Sequence, residues 1–73
     1  MSVVLAADRL RFEIARRGWA NADLARAARV SAPTITAAMA GRPISPESLR
    51  KIALALGATP PVAGVDAILP GVH

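Results

Sequence analysis

The chain has no cysteine and no tyrosine, a single histidine, and only two aromatic residues, Phe12 and Trp19. Without thiols it has no disulfide framework and no thiolate metal site, and a reducing cytoplasm is the expected compartment. The lone histidine, His73, is terminal and is assigned no role. Carboxylates such as Asp66 therefore lack a histidine-type base, and no spacing suggests a catalytic triad, a paired-carboxylate site or a glycine-rich phosphate cradle. The expectation is a non-enzymatic protein with no cofactor and no metal. Two aromatics are too few for a base-stacking platform, which argues against single-stranded nucleic acid. The early apolar run Val3 to Ala7 has no basic flank before it, is far too short to span a bilayer and stops at Asp8-Arg9, so neither an export signal nor a membrane partner is expected.

What is present is basic charge. Nine Lys and Arg stand against five Asp and Glu, giving a net charge of +4 and a pI near 11.5, a balance that favours an anionic partner. All but Lys51 of the basic residues are Arg, whose planar fork suits phosphates and guanine edges. They are spread over Arg9, Arg11, Arg16, Arg17, Arg26, Arg29, Arg42, Arg50 and Lys51, and do not gather on one amphipathic helix as a membrane-surface segment would require. Duplex DNA is the remaining candidate. A chain of 73 residues buries only about 60% of its unfolded surface and gains stability by self-association, so a homodimer is expected.

Spacing along the chain reads as helices. Val3, Ala7, Leu10 and Ile14 recur as one face of a first helix that Gly18 ends, with Phe12 off that stripe as either core margin or interface. Leu24, Ala25 and Ala28 form one face of a short helix starting near Asn21, which takes the capping role that Ala20 cannot fill. Ser31 is a good N-cap, Pro33 falls in the first turn of a third helix, Ile35 and Ala38 face inward, and Gly41 is a natural stop. Ser45-Pro46-Glu47 opens a fourth helix whose buried stripe is Leu49, Ile52, Ala53 and Leu56, ended by Gly57. Beyond Thr59-Pro60, Val62, Val65, Ile68 and Leu69 belong either to a short fifth helix or to an extended tail, since Pro61, Gly64 and Pro70 weaken a helix. The division expected is residues 1–59 as the domain, with its motif at 21–41, and 60–73 as a tail.

Two short helices joined by three or four residues, with the small Ala25 at their close crossing, have the geometry of a helix-turn-helix. Leu24, Ala25, Val30, Ser31, Thr34, Ile35 and Gly41 resemble the phage repressor and Cro (Xre-type) family. Arg17-Gly18-Trp19 before the motif and Leu49, Ile52, Ala53, Leu56 and Gly57 after it extend the likeness over roughly Leu10 to Thr59. The resemblance implies an all-α, compact bundle of four to five helices, a lambda-repressor-like DNA-binding domain, acting on double-stranded DNA as a homodimeric repressor in the cytoplasm, at the nucleoid. Position 29 departs from the pattern: family members carry Gly or Asn there because the turn favours positive φ, and this chain carries Arg.

Carried onto these positions, the family's docking mode puts Ala32, Pro33, Thr34, Thr36 and Ala37 at base edges and Asn21, Arg29 and Arg42 at phosphates. Thr34 also falls within reach of phosphate. Family members commonly carry Gln, Asn or Arg where this chain has Ala32, Pro33 and Ala37, so base readout is expected to be modest and phosphate contact dominant. Met39 is expected to fold back beside Ala38 and Trp19 to pack. Val65, Ile68 and Leu69 are apolar residues beyond a core four helices can close, and are the expected dimer contact. Two competing uses of the module remain open: an antitoxin holding a toxin through the tail Val62 to Leu69, or a protein-interaction module gripping a protein partner with the apolar recognition face.

Overall fold

A computed structural model describes residues 2–69. It contains α1 (Ala7–Ala15), α2 (Asn21–Ala28), α3 (Ala32–Met39) and α4 (Pro46–Ala58), followed by a single 3-10 turn at Val65–Ala67. The first three helices close in the same way. Gly18, Arg29 and Gly41 follow them with φ of 70°, 58° and 72°. Each is accompanied by a pair of backbone bonds. Gly18 N–H donates to Ala15 O (3.0 Å) and Trp19 N–H to Ile14 O (3.0 Å); Arg29 to Arg26 O (3.2 Å) and Val30 to Ala25 O (3.1 Å); Gly41 to Ala38 O (3.1 Å) and Arg42 to Ala37 O (2.9 Å). These are Schellman closures, which satisfy the carbonyls left over at a helix end.

The starts are equally local. Ser31 Oγ accepts from Thr34 N–H at 3.2 Å and Ser45 Oγ from Ser48 N–H at 3.1 Å, with Pro33 and Pro46 each in the first turn. Caps of this kind are worth about 1 kcal/mol each. α2 differs from the expectation. Ala20 occupies the cap position and Asn21 is already helical; the Asp23 carboxylate reaches back to accept from Ala20 N–H at 2.7 Å. That is the reciprocal half of a capping box, which works without a capping side chain at Ala20.

Three expectations are corrected. Val3 does not extend the stripe of α1, which begins only at Ala7; it pairs antiparallel with Ile44 through Val3 N–H to Ile44 O (2.7 Å) and Ile44 N–H to Val3 O (2.8 Å). Residues 2–7 alternate exposed and half-buried, the period of an extended chain, and no side chain caps α1 to carry it further back. In α4 the buried residues are Ile52 and Ala55, with Leu49 and Leu56 half-buried, whereas Ala53 is exposed. Gly57 does not stop α4, which runs through Ala58. The extended residue is Thr59 (φ −118°, ψ 108°), held out of the helical region by the ring of Pro60. Among the described residues of the tail, the 3-10 turn stands in place of a fifth α-helix. Pro70 and His73 lie outside the described residues.

The core gathers Leu10 and Ile14 of α1, Leu24, Ala25 and Ala28 of α2, Ile35 and Ala38 of α3, Ile52 and Ala55 of α4, and Ile44, with no polar or charged residue buried among those described. Leu24, Ile35 and Ile52 are essentially sealed from solvent, each stabilising the fold by roughly 1.5–3 kcal/mol. Alanines at 25, 28 and 38 let α2 and α3 approach closely at their crossing. Trp19 and Met39 pack against this core as expected. Phe12 is half-buried, with the Arg16 guanidinium 5.4 Å above its ring.

Arg17 joins the far ends of the bundle. Its Nε donates to Thr59 O (2.7 Å) and its terminal nitrogens to Leu56 O (2.9 Å), Glu13 O (2.8 Å) and Glu13 Oε1 (2.7 Å). One guanidinium thereby covers carbonyls at the C-terminus of α4 and locks them to α1. The tail then returns to α1, Val62 N–H donating to Arg16 O at 2.8 Å.

Candidate nucleic-acid interface

α2 and α3 are joined by Arg29, Val30 and Ser31. Val30 is half-buried against the core and fixes the turn, while Arg29 is exposed in the left-handed conformation, φ 58° and ψ 44°. From α3, Ala32, Pro33 and Thr36 are exposed and Thr34 and Ala37 half-buried. These five residues of the anticipated reading face share the outer side of one helix. Its hydroxyls are already engaged. Thr34 Oγ1 lies 2.8 Å from Ser31 Oγ, and Thr36 Oγ1 donates to Ala32 O at 3.1 Å. Thr36 is left with an accepting lone pair and a methyl group to offer outward.

Asn21 is exposed on the first turn of α2, where free backbone N–H groups and the helix dipole favour an anion. Arg42 is exposed at the other end of α3, its backbone held by the closure on Ala37. Beside α3, the start of α4 forms a shallow concavity lined by Pro33, Thr34, Ala37, Ile44, Ser45 and Ser48. Ile44 and the serines of this wall had drawn no functional expectation; their only sequence signal is the cap at Ser45.

Charge is sorted by local pairing. Arg11 bonds Asp8 (2.7 Å) and Met39 O (3.0 Å); Arg26 bonds Asp23; Arg16 and Arg17 share Glu13; Lys51 lies 3.6 Å from Glu47. Among the described residues, Arg9, Arg29, Arg42 and Arg50 have neither an ion pair nor a side-chain hydrogen bond. Two of these four, Arg29 and Arg42, stand at opposite ends of α3. Arg50 is a third free cation, to which the sequence had pointed no role. Glu13 is held below the ordinary carboxylate value, first by the hydrogen bond from Arg17 and further by the charges of Arg16 and Arg17, against partial burial that pushes it up.

Of the residues expected at a dimer contact, Ile68 is 80% exposed, while Val65 and Leu69 are half-buried. Among the described residues no group of acidic, histidine or cysteine side chains is placed to hold a metal, and no helix is long and apolar enough to cross a membrane.

Two capped helices, a tight left-handed turn between them and a polar-poor outer face flanked by free arginines define a helix-turn-helix domain. A family model described as helix-turn-helix matches residues 10–62. The chain belongs to that family, the repressor- and Cro-like (Xre-type) proteins, and is a DNA-binding domain of the kind that regulates transcription. No curated protein and no solved structure matches it.

Proposed function

We propose that this protein is a sequence-specific repressor that binds a two-fold related duplex site as a homodimer, in the cytoplasm at the nucleoid. The observation that carries the reading is the pair of unpartnered cations, Arg29 and Arg42, bracketing α3. α3 lies in the major groove, with Asn21, Arg29 and Arg42 on phosphates and Ala32, Pro33, Thr34, Thr36 and Ala37 toward the bases. Thr36, its proton committed to Ala32 O, accepts from an adenine or cytosine amino group, and the alanine and threonine methyls pack on thymine methyls. So few hydrogen-bonding groups make phosphate neutralisation the larger share of affinity. Val65, Ile68 and Leu69 are the tail residues offered to the second copy. Repression in this reading follows from the bound dimer occluding the promoter.

Selection of bound sequences from a random duplex pool at two salt concentrations tests this. Arg42→Ala is expected to weaken all sequences alike and to lower the salt slope by about 0.9. Thr36→Ala is expected to relax preference at one base position and leave the slope in place. A wild-type slope near zero, with no enriched sequence, would refute DNA binding as the function. A second reading, in which the tail holds a partner protein as an antitoxin does, is favoured by one observation, the 80% exposure of Ile68.

A further inference from the structure

α4 has a second face. Arg50, Ala53, Leu54, Gly57 and Ala58 recur at helical spacing and all are exposed, Leu54 at 59%. Ala53 stands where this face meets an apolar groove of about 320 Å³ between α1 and α4, walled by Leu5, Leu49 and Leu56 with Arg9 at its side. Gly57 is helical, although glycine is the weakest helix former after proline. A Cβ there would meet nothing within 4 Å, so packing inside the chain does not ask for glycine. Arg50 has no partner among the described residues. α4 in turn has no basic residue in its last turn, where Arg17 covers the Leu56 and Thr59 carbonyls.

We propose that a second copy of this chain docks on this face, α4 against α4 antiparallel, about a two-fold axis between Ala53 and Leu54. The inference rests on the homodimer in the function proposed above and assigns its principal contact to α4, ahead of the tail. The argument is self-complementarity. Reversing the helix about that point brings Leu54 to Ala53 of the partner subunit, where the groove opens to receive it. The same reversal brings Arg50 to Gly57 of the partner subunit, each ~5 Å along the helix from the axis. There Arg17 holds the Leu56 and Thr59 carbonyls, and the free guanidinium meets the carbonyls of Gly57 and Ala58, which among the described residues accept from no backbone N–H beyond the helix, while the missing Cβ leaves room for the arginine stem. An isologous contact makes each of these matches twice, which an unrelated partner has no reason to do.

The absence of cysteine makes the test clean. In the full-length chain, Leu54→Cys, Ile68→Cys and, as an exposed control on α1, Ala15→Cys are oxidised under mild conditions. Leu54→Glu and wild type are compared by sedimentation over a concentration series. The proposal expects a wild-type dimer, rapid covalent dimer formation by Leu54→Cys well above the Ala15→Cys level, and dimer dissociation raised at least ~30-fold in Leu54→Glu. The Leu54→Glu monomer should keep its circular dichroism, since this position is exposed in the single chain. A dimer that survives Leu54→Glu, with Leu54→Cys no faster than the control, overturns the α4 contact but leaves the homodimer standing; efficient Ile68→Cys cross-linking would then assign it to the tail. A wild-type chain that stays monomeric at all concentrations overturns both.

Discussion

At Arg29 the backbone takes φ 58° and ψ 44°, a conformation that sets Cβ against the following carbonyl and costs a non-glycine residue roughly 1–2 kcal/mol. Gly18 and Gly41 make the same closure without that cost. Among the described residues no side-chain hydrogen bond or ion pair of the Arg29 guanidinium repays it. The free cation beside α3 is what the arginine supplies. Arg29→Gly should therefore stabilise the isolated domain by about 1 kcal/mol in denaturant unfolding, while weakening DNA binding and lowering its salt slope by about 0.9. A variant that gains stability and binds DNA unchanged would show that arginine is merely tolerated in the turn.

Among the helices, what could be read in advance was whatever is settled within a few residues. Ser31 with Pro33, and Ser45 with Pro46, announce their helices because the cap, the first turn and its bonds are all neighbours in the chain. Ile35 and Ala38 face inward as their spacing requires. The failures have a common physical origin. Val3 fits the helical stripe of Leu10 and Ile14, yet its partner is Ile44, a residue distant in sequence that its own neighbourhood cannot reveal. Gly57 looks like a stop, but a glycine makes the left-handed closure only where the chain turns left-handed; here Thr59 before Pro60 ends the helix two residues further on. Arg17 entered the sequence reading only as one of the basic residues and through the Arg17-Gly18-Trp19 likeness, because its four bonds depend on how α4 returns to α1. The placement of Ala32, Pro33, Thr34, Thr36 and Ala37 on the outer side of α3 was legible from spacing, whereas the internal engagement of Thr34 and Thr36 was not, since hydroxyl direction depends on the finished turn.

The Arg17 clamp also predicts a pH dependence at the level of the α1–α4 junction. Glu13 has a lowered pKa in the folded chain relative to its ordinary 4.5, so the folded state binds its proton less readily than the unfolded one. The corresponding stability is complete above about 4.5 and is lost as pH falls through the lower folded value. Glu13→Gln should remove that part of the profile. Urea unfolding at pH 7 is expected to show the variant less stable, with the difference shrinking as both proteins are taken from pH 5 toward pH 3. An equal difference at every pH would mean that Glu13 acts through packing and not through its charge.

For the whole molecule, pairing of most charges within single helices leaves the excess at a few sites, the ones at which the proposed function and the proposed α4 contact place phosphate and a second copy. Arg29 and Arg42 border α3, Arg50 belongs to the outer face of α4, and Arg9 flanks the groove. The proposed two-fold dimer would carry two copies of α3 reading major-groove segments ~34 Å apart on one side of the duplex. Each half-site offers few base contacts, so tight binding depends on engaging both at once. Inserting 5 base pairs between the half-sites rotates one of them by about half a helical turn and takes it out of reach of the second α3. Affinity in an equilibrium binding assay should then fall by at least ~100-fold, to that of a single half-site. Removing one half-site altogether should produce the same affinity as the insertion. If the insertion leaves binding intact, the two copies engage DNA independently and the rigid two-fold arrangement is wrong.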